Sequence, residues 1–195
     1  MSFADVLPFL RSWVRNPLRT AAIMPSGNRI SALMTGEIDP EMGPVLELGP
    51  GTGPFTRSLL QRGVPESMLT LVEYSSEFTR LLRGRFPSAR ILRMDAARIG
   101  EFNLFEPGSV GAVVSGLGVL TMPPRQVKGI LNGAFKYLRP GGAFYQITYG
   151  PRCPVSKEIL DILQLEERFV AKTMRNIPPA SVYRIKRRVD TAGLS

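Results

Sequence analysis

The chain has 195 residues, 44% of them hydrophobic, and its 25 Lys and Arg against 16 Asp and Glu give a formal net charge of +9. This length suits one α/β domain with a full core, and the charge favours nucleic acid or an anionic membrane as partner, or an arginine-rich surface on a soluble enzyme. With no histidine and one cysteine, Cys153, the chain excludes a disulfide framework, Ser-His and Cys-His pairs and a zinc cluster, so we expect no metal.

The first predicted element is an amphipathic helix near the N-terminus. Trp13 lies at the edge of its apolar face, and Pro8 fits its first turn if the helix starts near Asp5. An apolar face with a tryptophan and an arginine flank is typical of a helix that lies in a membrane interface; a helix that packs on its own domain is the alternative. The apolar face comprises Phe3, Val6, Leu7, Leu10, Val14 and Leu18, and the flank comprises Arg11, Arg15 and Arg19.

Downstream, short β-rich runs alternate with helical patterns, which predicts a mostly parallel sheet with helices on both faces. Leu138–Gly142 indicates a helix end and a sharp turn into the fifth strand. The predicted strands are Val45–Leu48, Leu69–Glu73, Arg90–Met94, Val110–Ser115 and Ala143–Thr148, and the predicted helices are Thr56–Arg62, Ser76–Phe86 and Pro124–Leu138.

The C-terminal part is predicted to add two strands of opposite direction. After a short helix over Val155–Leu163, two extended runs, Arg168–Arg175 and Ser181–Arg187, are joined by a connection too short for a crossover helix. They therefore form an antiparallel hairpin. A seven-stranded, mostly parallel Rossmann-like sheet with such a hairpin is the usual plan of class I S-adenosylmethionine-dependent methyltransferases, whereas a dinucleotide-binding domain continues with another crossover.

A glycine-rich loop follows the first predicted strand and precedes a helix. Its sequence, Glu47-Leu48-Gly49-Pro50-Gly51-Thr52-Gly53, has G-x-G-x-G spacing with an acid two residues before the first glycine. Glycines let the backbone approach a ligand, and a helix N-terminus favours a carboxylate. An acid here would repel the pyrophosphate that a G-x-G-x-x-G fingerprint holds, but it suits an ammonium. The loop therefore predicts an S-adenosylmethionine site, with an ordinary glycine turn as the alternative.

Two more acids end the next predicted strands. Glu73 lies about twenty residues beyond the loop, where a carboxylate grips ribose hydroxyls, and Tyr74 beside it is a candidate to pack on adenine. Asp95 closes the third strand, where it can accept from the adenine amino group, with Ala96 next to it. Alone, Asp95 would indicate a surface loop acid, but in register with the loop and Glu73 it becomes a predicted ligand. Ser115, which ends the fourth strand, completes the predicted cofactor contacts.

The segment after the fourth strand is where this fold places acceptor contacts, and it reads Ser115-Gly116-Leu117-Gly118-Val119-Leu120. The Asn/Asp-Pro-Pro-Tyr-type motif of enzymes that methylate amino groups of nucleic-acid bases is absent from it. The small residues leave room for a slim acceptor, or only ease backbone packing. The hairpin is basic, which indicates a solvated face or a supplement to membrane binding of about 1 kcal/mol per well-placed charge. Its basic residues are Arg168, Lys172, Arg175, Arg184, Lys186, Arg187 and Arg188.

Five segments spread over nearly the whole chain carry a family resemblance: Phe9–Trp13, Ala22–Gly27, Leu46–Gly53, Leu71–Tyr74 and Arg175–Ala180. They resemble the bacterial soluble-type phospholipid N-methyltransferases. The resemblance implies stepwise methylation of phosphatidylethanolamine through mono- and dimethyl forms to phosphatidylcholine, with S-adenosylhomocysteine as the other product. It implies cofactor contacts at Glu47, Gly49, Gly51, Gly53, Glu73 and Asp95, and places Ser26 and Gly27 at the border of the same pocket.

The resemblance also implies an organisation and a setting. Residues 1–28 would form a membrane-binding helix and cofactor lid, and residues 29–195 the methyltransferase domain, with a phospholipid and an anionic membrane surface as partners and no nucleic acid or obligate protein partner. Because no apolar run is long enough to cross a bilayer and no signal-peptide pattern is present, we expect a cytoplasmic protein bound peripherally to the inner face of the cytoplasmic membrane. Two alternatives stay open: an RNA adenine N6-dimethyltransferase, and a membrane-binding module with a vestigial cofactor pocket.

The expected reaction is a direct displacement, in which a neutral amine attacks the methyl group of a sulfonium. For an amine similar to that of lysine, freeing the lone pair at pH 7 costs about 4 kcal/mol. Without histidine, the proton acceptor is a tyrosine–water relay, a carboxylate or bulk water. Tyr149 is the preferred active-site aromatic and Tyr183 the second candidate, able to bond the amine and face the methylated cation, with a core or rim tyrosine as the alternative for each. Arg19 or Arg184 is a candidate for the lipid phosphate.

Overall fold

A computed structural model describes residues 27–150, 152–173 and 179–189. Within them, seven strands form one mixed sheet in the order β3-β2-β1-β4-β5-β7-β6. The first five strands pair in parallel, while β7 pairs antiparallel with both β5 and β6. The predicted fold class and the C-terminal antiparallel pair are therefore confirmed. The strands are β1 (Val45–Leu48), β2 (Leu69–Glu73), β3 (Arg90–Arg93), β4 (Val110–Ser115), β5 (Leu138–Thr148), β6 (Leu165–Thr173) and β7 (Ala180–Arg187).

The helices cover both faces of this sheet. One layer of apolar packing joins the sheet to the first three helices, and a second joins its other face to the last two. Ser75 caps the third helix by accepting a hydrogen bond from the amide of Phe78, as a serine before the first turn predicts. The helices are α1 (Gly27–Thr35), α2 (Pro54–Gln61), α3 (Ser76–Arg85), α4 (Pro124–Tyr137) and α5 (Lys157–Ile162), with short 3-10 helices at Pro40–Met42, Glu66–Met68, Ala96–Glu101 and Val119–Thr121.

Two strands begin three or more residues earlier than predicted. Strand β5 begins at Leu138 rather than Ala143, because Leu138 already pairs with Val110 and the turn-like residues between Leu138 and Ala143 form a bulge in β5. Strand β6 begins at Leu165 rather than Arg168, because its first residue pairs with Arg187 at the far end of β7. Local turn signals misplace both boundaries because pairing with a distant strand decides them.

No helix among the described residues is long and apolar enough to cross a membrane. The predicted amphipathic helix, with Arg11, Trp13, Arg15 and Arg19, lies outside the described residues, as do Ser26 and Arg175. Gly27 is the first residue of α1. The proposed unit of residues 1–28 is therefore described only at its last two residues.

Candidate cofactor and acceptor site

The glycine loop connects β1 to α2 in a conformation that only glycine adopts freely. Gly49, Gly51 and Gly53 have φ angles of +67°, +56° and +79°. A Cβ atom at Gly49 would lie 2.6 Å from Leu117 Cδ2, and one at Gly53 would lie 2.5 Å from Phe86 Cε2, so both glycines allow close packing. A Cβ at Gly51 would meet nothing within 4 Å. The loop is thus packed at both ends and open at its middle glycine.

Glu73 at the end of β2 ties this loop to the neighbouring strand. Its Oε2 accepts a hydrogen bond from the Gly51 amide at 3.1 Å, and its Oε1 accepts from the Ser75 amide at 2.8 Å. The side chain is 8% exposed. Each carboxylate oxygen keeps a second lone pair for a hydroxyl donor. The predicted ribose contact is therefore held rigidly at the edge of the open part of the loop.

Glu47 lies beneath the loop and is fully buried. Its Oε2 accepts from the Thr56 hydroxyl at 2.7 Å, while its Oε1 has no hydrogen-bond partner in the described part of the chain. Burial raises the pKa of this carboxyl to about 7, against the hydrogen bonds from Thr56. A buried acceptor without a donor is unfavourable, so this oxygen requires a donor such as an ammonium group.

Two arginines hold the loop from outside. Arg57 Nη1 donates to the carbonyl oxygen of Thr52 at 3.0 Å, and Arg85 Nη1 donates to the same oxygen at 2.8 Å. Burial and the charge of Arg85 lower the pKa of Arg57. Both guanidinium groups fix the peptide that precedes Gly53 and place positive charge at the N-terminus of α2. Neither arginine is predicted from the sequence, although Arg57 stands in the first turn of the helix after the loop.

The adenine end of the predicted site is more exposed. Tyr74 is 76% exposed. Asp95 caps the turn after β3, where its Oδ1 accepts from the Ala97 amide at 2.8 Å, and Ala96 behind it is buried. A Cβ atom at Gly129 of α4 would lie 2.6 Å from the Ala97 carbonyl oxygen. The turn that positions Asp95 therefore rests directly on the backbone of α4.

The acceptor loop, Ser115–Gly118, packs against the glycine loop. Ser115 is fully buried, and its hydroxyl accepts from the Leu117 amide at 3.4 Å. The Gly116 amide donates to the carbonyl of Leu48, and a Cβ at Gly116 would lie 2.8 Å from the Gly49 carbonyl oxygen. Backbone packing thus explains Gly116, one of the two alternatives that the sequence left open.

A glutamine on β5 that is not predicted from the sequence as a site residue supports the acceptor loop. Gln146 is fully buried and its Nε2 donates to the Leu117 carbonyl at 2.9 Å. The signal that would have indicated it is a polar residue in the middle of the otherwise apolar run Phe144–Ile147. An amide at a core-facing position implies a specific hydrogen-bond partner.

The two candidate tyrosines lie on different faces of the sheet. Tyr149 packs against the apolar layer that contains the first three helices, whereas Tyr183 is the register partner of Gln146 and shares its face. Tyr149, just past β5, is half-buried, and burial raises the pKa of its phenol. Tyr183 on β7 is buried, with its ring edge-to-face against Phe169 at a centroid distance of 5.8 Å. Burial and the charge of Glu167 raise the pKa of Tyr183. Both phenols stay protonated at neutral pH, so they can donate or relay a hydrogen bond but do not act as ionised bases.

Three of the basic residues on the hairpin turn back onto the protein. Arg184 Nη1 pairs with Glu37 Oε2 at 2.9 Å, beside the hydroxyl of Tyr145 on the same carboxylate. Arg187 donates to the Phe135 carbonyl at 2.9 Å, and Arg188 pairs with Asp161. Arg168 and Lys172 on the outer strand are exposed. A phosphate-binding role for Arg184 stays a prediction.

The residues of the site fit S-adenosylmethionine. Glu47 has an unpaired buried oxygen for the ammonium, Gly51 faces open space, and both oxygens of Glu73 have a free lone pair for ribose hydroxyls. Within the described ranges, no group of three or more Cys, Asp or Glu side chains is placed to hold a metal ion. The sheet, the glycine loop and these carboxylates define a class I S-adenosylmethionine-dependent methyltransferase.

Comparisons with known proteins agree with this class. Residues 45–142 match the family model described as a methyltransferase domain. The chain is 31% identical over 185 residues to the ornithine lipid N-methyltransferase of Singulisphaera acidiphila, covering 92% of this chain and 94% of that protein. It belongs to the family of bacterial lipid N-methyltransferases within the class I fold.

Other known proteins are similar to this chain only in fold, or in sequence over only part of its length. A TehB-like S-adenosylmethionine-dependent methyltransferase from Corynebacterium glutamicum has a TM-score of 0.63 at 16% identity, covering 96% of this chain and 100% of that one. A glycopeptide N-methyltransferase complexed with S-adenosylmethionine has a TM-score of 0.61 at 16% identity, covering 83% and 94%. The ribosomal RNA small subunit methyltransferase A of Anaeromyxobacter dehalogenans is 36% identical over 90 residues, which are 46% of this chain and 28% of that protein.

Proposed function

We propose that this protein methylates the amino group of phosphatidylethanolamine at the surface of an anionic membrane, in steps through the mono- and dimethyl forms to phosphatidylcholine. The observation that carries the proposal is similarity over nearly the full length to a protein named ornithine lipid N-methyltransferase. Such a relative supports a lipid amine as the acceptor. The net charge of +9 supports an anionic surface, and the proposed location is the inner face of the cytoplasmic membrane.

The residues around the glycine loop position the cofactor. S-adenosylmethionine, when bound, supplies an electrophilic methyl group on a sulfonium. Glu47 and Glu73 hold the ammonium and ribose ends, and Asp95 and Tyr74 border the adenine end. Because Glu73 is fixed by two backbone amides, it offers the same geometry in every turnover. Holding nitrogen, carbon and sulfur in line is the main catalytic contribution available to such a displacement.

The candidate tyrosines, Tyr149 and Tyr183, supply partly or fully buried, protonated phenols. The phenols of Tyr149 and Tyr183 are neutral at pH 7, and burial raises the pKa of each further, so neither stabilises the protonated, unreactive form of the amine as an anion would. Tyr149, past the end of β5, is the proposed partner of the amine; its ring face can contact the methylated cation as the charge becomes permanent. The proton leaves to water, directly or through a phenol.

The test is methyl transfer from radiolabelled S-adenosylmethionine to liposomes of phosphatidylglycerol with 30 mol% of one acceptor, a composition chosen for the assay. We expect label in the lipid fraction with phosphatidylethanolamine and with its mono- and dimethyl forms. Vesicles of phosphatidylglycerol alone, which have no amine, are the control. An unlabelled lipid fraction, with binding of S-adenosylhomocysteine confirmed by calorimetry, would contradict the proposal.

Two further arms separate the competing acceptors. Label only in ornithine lipid would assign the chain the acceptor named for its relative in place of phosphatidylethanolamine. The partial match to a ribosomal RNA methyltransferase favours RNA as the second candidate. Methylated adenosine in a digest of RNA, with unlabelled lipid and salt-sensitive RNA binding, would support it.

A further inference from the structure

Gln146 has one half of its side-chain amide satisfied and the other half unpaired. Its Nε2 donates to the carbonyl of Leu117 at 2.9 Å and to the carbonyl of Ile147 at 2.7 Å. Its Oε1 has no partner among the residues that the structure describes, and the side chain is fully buried. The orientation of the amide is fixed, because both atoms near Nε2 are carbonyl oxygens and only the nitrogen can donate to them.

An unpaired buried amide oxygen is unfavourable by about 1–3 kcal/mol, and proteins seldom retain one without a use. Replacing the glutamine by an apolar residue would remove that cost, at the loss of the bond to the acceptor loop. The oxygen therefore indicates a donor that arrives from elsewhere. A neutral amine with an N–H group is such a donor.

The position of Gln146 places this oxygen at the acceptor side of the site. In the sheet, Gln146 is the register partner of Ser115 on β4 and of Tyr183 on β7, so the three side chains share one face. Its Nε2 reaches the acceptor loop at Leu117, whose side chain lies against Gly49. Because Oε1 and Nε2 are bonded to the same carbon, Oε1 also lies next to the acceptor loop.

We propose that Gln146 Oε1 accepts a hydrogen bond from the N–H of the acceptor amine and orients its lone pair for methyl transfer. This inference rests on the proposed function. In each transfer the nitrogen lone pair forms the new N–C bond, the C–S bond of the sulfonium breaks with its electrons staying on sulfur, and the resulting ammonium loses a proton to water before the next transfer.

The contact makes the three methyl transfers unequal. A neutral unmethylated amine has two N–H groups and the monomethyl amine has one, while the neutral dimethyl amine has none. Gln146 therefore assists the first two transfers and makes no hydrogen bond to the amine in the third. A residue that served only to hold the fold would affect all three transfers alike.

The experiment compares Gln146→Met with Gln126→Met, the same substitution at an exposed position of α4. With the full-length protein and phosphatidylglycerol vesicles, kcat/KM is measured separately for phosphatidylethanolamine and its mono- and dimethyl forms. For Gln146→Met we expect a fall of about tenfold or more with the first two acceptors and of less than about threefold with the third. Gln126→Met should leave all three unchanged. Equal losses with all three acceptors, or no loss, would overturn the inference.

A second variant covers a failure of Gln146→Met to fold, which thermal unfolding and binding of S-adenosylhomocysteine would reveal. In Gln146→Glu the buried carboxyl is neutral below its raised pKa, so it donates one hydrogen bond and keeps an accepting oxygen. At pH 6 it should preserve the wild-type ratio of first to third transfer. A ratio lowered to that of the methionine variant, or below about a third of the wild-type ratio, would overturn the inference on this variant alone.

Failure of the proposed function has a different signature, because it shows in the wild-type protein. If the wild type labels only ornithine lipid, phosphatidylethanolamine is wrong as substrate, and the same comparison on the unmethylated and dimethylated ornithine lipid decides the role of Gln146. If the wild type labels no lipid amine, both proposals are wrong. If the wild type labels phosphatidylethanolamine and Gln146→Met lowers kcat/KM equally for all three acceptors, or not at all, only the role of Gln146 is wrong.

Discussion

The cofactor half and the acceptor half of this site, which lie along one edge of the same sheet, are built from different chemistry. The cofactor half comprises the glycine loop with Glu47 and Glu73. Here a carboxylate accepts a hydrogen bond from the backbone amide of a glycine with positive φ, as Glu73 does from Gly51. In the acceptor half, neutral side chains such as Gln146 and Ser115 accept and donate in a buried setting. A carboxylate beside the amine would stabilise its protonated form, which cannot attack, whereas an amide oxygen accepts an N–H without that penalty. Charge thus serves to hold the cofactor, and under the proposed function its absence keeps the nucleophile neutral.

The largest effect expected from the cofactor half is at Glu47. Burial raises the pKa of this carboxyl from 4.5 to about 7, so between these pH values the folded chain retains a proton that the unfolded chain has lost. Without cofactor, the contribution of Glu47 to stability should therefore be fully present below pH 4.5 and be lost as the pH rises to 7, by about 3 kcal/mol in total. Glu47→Gln should abolish that contribution, as measured by urea unfolding at pH 5 and pH 8.

The control for this prediction is Glu77→Gln, the same change at an exposed position of α3, which should keep the wild-type pH dependence. Binding of S-adenosylhomocysteine gives a second readout. Because an ammonium pairs with the ionised carboxylate, affinity should rise with pH through 7 in the wild type and stay flat in Glu47→Gln. Equal pH dependence of stability in wild type and Glu47→Gln would contradict the assignment.

An intermediate effect is expected at Gly51. Gly51 and Gly108 both have positive φ angles, +56° and +72°, and a Cβ atom at either position would have no neighbour within 4 Å. Alanine at either position should cost a similar 1–2 kcal/mol or so of stability from the left-handed backbone. Only Gly51→Ala puts a methyl group into the open side of the loop, so only it should weaken S-adenosylhomocysteine binding, by about tenfold or more in calorimetric titration. Matching affinities in the two variants would place the cofactor elsewhere.

The smallest effect is expected at Arg85, which donates to the Thr52 carbonyl from an exposed position. Arg85→Ala should lower cofactor affinity by about two- to fivefold, since Arg57 still holds the same oxygen and one exposed hydrogen bond contributes about 1 kcal/mol or less. Arg83→Ala on the same helix is the matched control. Neither variant should alter the preference among the three lipid acceptors, and a changed preference would break the separation of the two halves.

The two halves also differ in how far the sequence predicts them. The loop from Glu47 to Gly53 is one continuous segment whose spacing carries its chemistry, and Glu73 ends a mostly apolar predicted strand, so the sequence alone locates both. It does not locate Gln146, because the meaning of that residue depends on the register that sets it between Ser115 and Tyr183. Hydrophobic patterning predicts that a strand exists but not which residues of distant strands face one another.

The strand boundaries show the same limit. The sequence predicts the end of α4 at Tyr137 within one residue, because a Pro-Gly-Gly turn is a local signal. It does not predict the early start of β5 at Leu138, because that start depends on a bulge opposite Val110. The direction of β7 follows from a connection too short for a crossover, whereas its place between β5 and β6 is a property of the whole sheet.

The contact between Gly116 and Gly49 has a consequence for changing what the enzyme accepts. A side chain at position 116 would meet the glycine loop at 2.8 Å, so the wall shared by the two loops has no spare volume. Two residues on, a Cβ at Gly118 would have the Thr121 hydroxyl oxygen as its nearest neighbour, at 3.8 Å, and its φ of −78° suits any residue. Efforts to engineer the acceptor range should therefore leave position 116 alone and diversify position 118, where bulk can be added without disturbing the cofactor.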